Sequence, residues 1–595
     1  MPQGGRKKPF SGKAKKEQLK EKRERTRSRS MASEGNDDDG KGGRCGSRSR
    51  KGKEEGPSDE PLTETLTSDA IAKINAQPLN DNSSNRRDAN RYALHFSRES
   101  TEELLRRKKE AYEPYEVIPR EGLEVASSDV WPPDNLGMPK RPPWDYKMSV
   151  NVLEQQEARH FREYLKSLEK EYGSLTNLSH FELNLETWRQ LWRVIEMSDV
   201  VLLVVDIRHP IFHFPPSLYH HVTSECGKSF IIVLNKCDLI PAHLVIAWMD
   251  YFSKKYPQIY VLPFASYAGM KVISVAKAKG KRIGKLRMAG EGSKRLCEIC
   301  SEIVGDKVDI KSWHEKIERE LKEEEIEEDD ERGTKPLSNA PRVTEKRDLT
   351  FFKSERFKDG IVTIGCVGHP NVGKSSLLNA IMGRKVVSVS RTPGHTKYFQ
   401  TIFITPTVKL VDCPGLVFPS KIPRGMQVLM GCFPIAQLRE PFSAVQFLAQ
   451  RLDIPSILSL KHPDPEQRNQ SWSAIEICEA WAILRGFQTA KAGRPDTGRA
   501  ANHLLRMALD GRTLCLAFYP EHFVRDESIW KQHPDIPAIL TLQCQQGDHD
   551  EEYLKSLESE EDWKEGERKE EEDQTEESEQ EESATVNRFA LLGDE

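Results

Sequence analysis

The chain has no apolar run approaching the roughly 18 residues that cross a bilayer, and its first thirty residues lack the apolar centre of a secretory signal. These absences argue against membrane transport and secretion and set an intracellular expectation. A disulfide-type cysteine framework is missing too. The 11 cysteines are scattered and odd in number, which in a reducing compartment favours free thiols over a disulfide framework. The Asn-x-Ser sequences at Asn82, Asn177 and Asn469 are therefore expected to carry no glycan. Aliphatic residues are nearly absent from Met1 to about Pro61, so this stretch cannot bury enough apolar surface to offset its ordering entropy. No one sign of charge dominates. The net charge of -4 averages a basic start, Arg6 to Lys53, with acidic runs at Glu318–Glu331 and Glu551–Glu582, so the two ends are expected to meet different partners.

What is present fits two or three folded units with charged extensions, since 595 residues exceed a single hydrophobic core. Residues 1–60 read as a disordered basic arm. Residues 61–150 read as an extended arm punctuated by Trp131-Pro132-Pro133 and Pro142-Pro143-Trp144. Continuous apolar runs then mark buried strands at Val200–Val205, Phe230–Leu234 and Ile259–Leu262, with amphipathic helices at Val152–Tyr172 and Leu183–Met197 before them. After an acidic insert at 293–347, strands resume at Ile361–Val367, Phe399–Ile404 and Val408–Val411. The alternation of strand and helix predicts an α/β, mostly parallel, doubly wound sheet built from two halves, 151–292 and 348–420. A smaller, mainly helical domain is expected at 421–545, its best helices being Ala444–Arg451, Trp472–Arg485 and Arg499–Ala508, and an acidic tail at 546–595.

Gly368-His369-Pro370-Asn371-Val372-Gly373-Lys374-Ser375 fits G-x-x-x-x-G-K-[ST] and lies between a buried strand and a helix beginning near Lys374. In such a loop the amides and the helix N-terminus converge on the β-phosphate, Lys374 reaches the β- and γ-phosphates, and Ser375, followed by Ser376, ligates magnesium. Asp412-Cys413-Pro414-Gly415 ends the strand Val408–Val411, where Asp412 would hold magnesium through water and Gly415 would offer its amide to the γ-phosphate. Between them, the polar loop Arg391–Thr396 suits a magnesium-binding switch threonine, with Thr396 chosen and Thr392 as the alternative. Asn235-Lys236-Cys237-Asp238 is an N-K-x-D guanine box: the Asp238 carboxylate accepts from guanine N1–H and the exocyclic amine, Lys236 packs on the purine face, and Asn235 braces the loop. Ala265-Ser266 follows the third strand, where a base loop covers guanine O6, but in inverted order.

The order is rotated. Ordinary GTPases run from phosphate loop to guanine box, whereas here the guanine box and base loop come first. Joining the old termini and cutting after D-x-x-G would permute the sequence without moving a site. With Asp206-Ile207-Arg208-His209-Pro210, the Pro-Asn-Val-Gly-Lys-Ser-Ser phosphate loop and Asp-Cys-Pro-Gly-Leu, the region from about Glu154 to Ala517 resembles the circularly permuted GTPases related to bacterial ribosome-biogenesis GTPases. The resemblance implies GTP/GDP and Mg2+ as ligands, a nuclear or nucleolar place with possible shuttling to the cytoplasm, and a pre-ribosomal particle or ribosomal RNA or protein as partner. Neither a membrane nor a specific DNA sequence is expected. Asn371 matches members whose phosphate-loop asparagine helps bind K+.

Leu416 stands where small GTPases carry the glutamine that orients water, so slow intrinsic hydrolysis is expected until a partner completes the site. The segment after Gly415 leads directly into the helical domain, which predicts that phosphate loss repositions it. Basic runs at Lys7–Arg29 and Lys271–Arg287 are candidates for RNA contact; a nucleolar address for the first and a solvated helix face for the second are the alternatives. Cys297-Glu298-Ile299-Cys300 is a lone C-x-x-C, weak support for zinc. Two functions remain open: a GTPase of large-subunit assembly, or a GTP-dependent nuclear switch on a non-ribosomal partner with hydrolysis incidental.

Overall fold

The computed structural model describes residues 101–266, 279–326 and 356–543, apart from short stretches of which the longest are 390–397 and 465–470. The end arms, the first part of the Lys271–Arg287 run up to residue 278 and the switch loop with Thr392 and Thr396 lie outside the described residues. For the later part of that basic run, only the helical backbone from Lys279 is described.

Helix α1 (Val150–Tyr172) starts at Ser149, whose hydroxyl accepts from the Val152 N–H, and stops at Gly173 in the left-handed conformation. Helix α2 (Leu185–Met197), capped by Asn184, leads into β1 (Val200–Asp206). Then follow β2 (Ser229–Asn235), α3 (Ala242–Lys255), β3 (Ile259–Phe264), α4 (Lys279–Val304), α5 (Lys311–Ile326) and β4 (Val362–Val367). The phosphate-loop helix α6 (Lys374–Ile381), β5 (Gln400–Thr405) and β6 (Val408–Asp412) complete the sheet segment. Beyond it lie α7 (Arg424–Leu429), α8 (Phe442–Ala449), α9 (Ala474–Arg485), α10 (Thr497–Asp510), α11 (Phe523–Lys531) and α12 (Ile536–Gln543).

The six strands form one sheet in the order β3-β2-β1-β4-β6-β5, parallel except for the antiparallel edge pair β5 and β6. Successive residues serve opposite faces, as the period of two demands. Val201, Leu203 and Val205 of β1 join a core with α1, α2, α3 and the C-terminal helices, while Val200, Leu202 and Val204 join a second core with α4, α5 and α6. Both faces are covered, which is why the strands read as unbroken apolar runs.

The seam between the two halves of the sequence is the β1–β4 pair, with Val200 opposite Ile364 and Leu203 opposite Val367. Asp199 fastens its lower end: the carboxylate accepts from the Phe357 and Thr363 N–H groups, each at 2.8 Å.

The interval read as an acidic insert contributes more than a linker. Leu296, Cys297, Cys300 and Val304 of α4, with Val308, Ile310, Trp313 and Ile317 in and before α5, are buried under the sheet. Their spacing is a helical stripe, which the density of charge on the opposite face masked. Cys297 and Cys300 belong to this core. Burial pushes the Cys297 thiol up to about 11 and Cys300 higher still, so both are inert packing residues.

On the other face, the described residues between 111 and 149 run across the helices, extended in part but broken by a 3-10 turn at Arg120–Leu123 and a short helix at Ser127–Val130. The indole N–H of Trp131 donates to the Ile211 carbonyl (2.8 Å), and Trp192 donates to Pro139 (2.9 Å). The segment after D-x-x-G is held against the stretch before α2. Glu182 N–H donates to the Val417 carbonyl (3.0 Å), Ser179 N–H to Ser420 (2.9 Å), and Gln427 exchanges hydrogen bonds with the His180 backbone.

Burial pushes the Glu182 carboxyl up to about 7, against the opposing help of the Asn184 and Leu183 backbone N–H groups. Between its unfolded value near 4.5 and 7, the folded protein holds a proton that the unfolded chain has released. Stability contributed by that proton is therefore present at low pH and lost as pH rises through 7. Glu182→Gln should match the wild type in urea unfolding at pH 5 and exceed it at pH 8, by up to about 3 kcal/mol. Parallel stability curves at both pH values would contradict this.

Candidate nucleotide site

The parallel strands deliver their carboxyl ends to one edge, and the motifs sit there. Asp206 of β1 lies opposite Asn235 of β2, Asn235 opposite Phe264 of β3, and Cys366 of β4 opposite Asp412 of β6. The strand order reverses between β1 and β4, the switch point at which open α/β sheets bind ligands.

Asn235 links the three loops at this point. Its side-chain NH2 donates to the Val372 carbonyl of the phosphate loop at 2.7 Å. Its amide oxygen accepts from the Ser266 hydroxyl at 2.9 Å and the Ser266 N–H at 3.2 Å. The loop residue Gly373 has φ 102°, and a Cβ there would lie 2.3 Å from Asn235 Nδ2, so only glycine fits. Val372 is buried beneath the loop, as is Ser376 one turn into α6. Lys236 adopts φ 63°, uncommon for a residue with a Cβ. Burial raises the nearby Asp238 carboxyl above its usual range.

Lys374 is buried and curls over the phosphate loop, its ammonium donating to the Gly368 (2.9 Å) and His369 (2.6 Å) carbonyls. Burial lowers its affinity for a proton, opposed by the Asp412 carboxylate. Gly415 packs against the loop, a Cβ there falling 2.9 Å from Pro370 Cα and 3.2 Å from Lys374 Nζ. The Ser375 hydroxyl donates to Asp412 Oδ2 at 3.2 Å, while Asp412 Oδ1 is buried and has no hydrogen-bond partner among the described residues. Burial pushes this carboxyl up to about 6. A serine hydroxyl beside an unsatisfied buried carboxylate oxygen is a donor set that suits a small hard cation. Asn371, at φ 58°, donates through its NH2 to the Gly431 carbonyl at 2.8 Å, joining the phosphate loop to the segment after α7.

Leu416 is buried in the core, its N–H donating to the Gly368 carbonyl at 3.3 Å. Below the loop lies a group that sequence reading missed: His209, His213 and His369, buried with ring centroids 4.8 and 5.1 Å apart in sequence order, flanked by Trp131 and Phe418. Burial keeps all three neutral, His209 being pushed down to about 3. No cluster of His, Cys, Asp or Glu able to hold a metal ion occurs among the described residues. The only signal of this packing was the recurrence of histidine at the ends of β1 and β4.

Residues 363–438 match the family described as 50S ribosome-binding GTPase. Human guanine nucleotide-binding protein-like 1 is 46% identical over 559 residues, covering 91% of this chain and 90% of the relative. The chain belongs to the guanine nucleotide-binding protein-like 1 family of circularly permuted GTPases. Guanine nucleotide binding and GTP hydrolysis are the activities of the family. The mouse member is likewise 46% identical over 561 residues, with the same coverage. Large subunit GTPase 1 homolog of Danio rerio is 34% identical over 455 residues, covering 68% of this chain and 69% of its own length. Two structures of YlqF from T. maritima also match. The GDP-bound one covers 56% of this chain and all of its own at 16% identity and a TM-score of 0.30, and the GNP-bound one has 18% identity and a TM-score of 0.31.

Because Asn235 is the shared strut, Asn235→Ala should cost about 1–3 kcal/mol in stability, leaving Val372 and Ser266 groups unpaired, and should weaken GDP binding more than tenfold. Calorimetric titration and thermal melting of the same sample check both; unchanged affinity would show that the phosphate and base loops hold their places without it.

Proposed function

We propose that this GTPase is a nucleotide-dependent assembly factor of the large ribosomal subunit, slow on its own and switched by a partner. The observation that carries the slow rate is Leu416: the side chain at the water-orienting position is apolar and packed in the core, so it can neither donate to nor accept from an attacking water. The family description and the name of the Danio rerio relative support the ribosomal partner. The basic N-terminal run supports RNA contact and a nucleolar place.

In this reading, Asp238 selects guanine, Lys236 covers the purine and Asn235 with Ala265-Ser266 closes the base end. The amides from Gly368 to Lys374 and the start of α6 cradle the phosphates, Lys374 leaving its carbonyl partners to meet them. Ser375, Asp412 and the switch threonine Thr396 would hold magnesium, which supplies charge neutralisation between the β- and γ-phosphates. Gly415 presents its amide to the terminal phosphate. Asn371, with its NH2 committed to Gly431, keeps its amide oxygen for a potassium ion. Phosphate loss is transmitted through the Asn371–Gly431 contact to the helices that follow.

Purified large-subunit precursor particles should raise GTP turnover at least about tenfold, in line with partner-completed GTPases. Lys374→Ala and Asp238→Asn should lose both GTP-dependent particle association and stimulation. If particles neither bind nor stimulate, the protein is instead a GTP-dependent switch on a non-ribosomal nuclear partner. Turnover should also be faster in potassium chloride than in sodium chloride at equal ionic strength, and equal rates would remove potassium from the site.

A further inference from the structure

Asp206, at the end of β1, is buried, and both of its carboxylate oxygens are engaged. Oδ1 accepts from the Arg208 main-chain N–H at 3.1 Å and from Arg208 Nε at 3.0 Å, while Oδ2 accepts from Arg208 Nη2 and from the guanine-box Lys236 Nζ, each at 2.7 Å. Burial alone would raise this carboxyl. The Arg208 and Lys236 charges overcome burial and hold it well below its usual range, so it stays an anion.

Arg208, equally buried, reaches in the other direction. Its Nη1 donates to the Ala508 carbonyl at 2.8 Å and Nη2 to the Leu509 carbonyl at 3.1 Å. These belong to the last turn of α10, where carbonyls have no partner within the helix. The helix ends at Gly511, φ 79°, where a Cβ would sit 2.2 Å from Arg208 Nη1, so glycine is required for the guanidinium to reach. The Arg208 carbonyl in turn accepts from the Phe518 N–H at 2.7 Å.

The far side of the guanine loop is gripped by the same C-terminal segment. Gln543 Nε2 donates to the Cys237 carbonyl at 2.7 Å and the Ile240 carbonyl at 2.8 Å, and Cys515 Sγ donates to the Leu239 carbonyl at 3.3 Å. Residues 236–240 are therefore held from both sides, Lys236 by Asp206 30 residues earlier and Cys237, Leu239 and Ile240 by groups 276 to 306 residues later in sequence.

We propose that Asp206 and Arg208 are positioning residues for guanine selection: they hold Lys236 over the base and tie the guanine box to the end of α10, so that the C-terminal helices set nucleotide affinity. The inference rests on Asn235–Asp238 contacting guanine, as argued above. Lys236 is a flexible four-carbon stem in a rarely populated backbone conformation, and its ammonium needs a fixed anion to keep one geometry. Asp206 supplies that anion, and Arg208 fixes Asp206 to a rigid helix end. Whatever pulls on α10 or Gln543 loosens the grip on the base, so nucleotide exchange is coupled to the helices at the base end.

The test uses the full chain, a fluorescent GDP analogue in stopped flow, and competition by GTP and ITP, which lacks the exocyclic amine. Asp206→Asn and Arg208→Lys should speed GDP release about ten- to a hundredfold, the loss of a charged hydrogen bond, and narrow the preference for GTP over ITP. In a Lys236→Met background, Asp206→Asn should add under about twofold, because the coupled partner is already gone. Gln543→Met, which leaves the charged pair intact, should speed release alone and serves as the deciding variant if Asp206→Asn does not fold. The proposal is overturned if the variants melt earlier yet release GDP and discriminate ITP as the wild type does, or if Asp206→Asn keeps its full effect without Lys236. Asp238→Asn is the control: it should move preference from guanine to xanthine, and if it does not, the guanine-box reading itself fails.

Discussion

The pairing of β1 with β4 is the constraint on which the nucleotide face depends. Each strand carries half of the motif set, the guanine box and base loop being built out from β1 and the phosphate loop and D-x-x-G out from β4. Their parallel register puts Leu203 opposite Val367, so the turns that follow both strands open toward the same space. Asp199 clamps the seam from below and Asn235 bridges it from above. Rotation of the motif order leaves these contacts intact, because the sheet is defined by neighbours in space and the cut falls in a connection.

Much of this was legible in the sequence because buried parallel strands cannot hide: a run such as Val200–Val205 must be apolar on both faces. The phosphate loop and guanine box were legible for a similar reason, their geometry permitting few residues at Gly373 or Asp238. The helix pair after β3 was not, since a stripe of one apolar residue in three or four, Leu296 to Ile317, disappears among the charges of its solvent face. Nor was the work of Arg208 legible. Its partners, Ala508 and Leu509, offer main-chain carbonyls, which carry no signature in side-chain sequence. The buried histidines, Asn371 meeting Gly431, and Gln543 meeting Cys237 and Ile240 share that cause: contacts between residues distant in the chain are written by the fold.

The helices beyond Pro419 share one core with the sheet's α1–α3 face, so they are not a free appendage of the nucleotide site. They touch it at two separated places, the phosphate loop through Gly431 and the guanine loop through α10, Cys515 and Gln543. A force on these helices therefore reaches both ends of the nucleotide, which a single tether after D-x-x-G would not do.

The same seam has a cost in time. Val200 and Ile364 are 164 positions apart, the difference of their numbers, so β1 leaves the translating ribosome with an open apolar edge long before its neighbour exists. At about 5–20 residues per second the wait is on the order of ten to thirty seconds. Even after β2 and β3 have followed, the flank of β1 that pairs with β4 still lacks its neighbour, the kind of edge that recruits other strands. Permuting the order of synthesis thus turns a strand that an ordinary GTPase adds to an existing sheet into the one that must be guarded first.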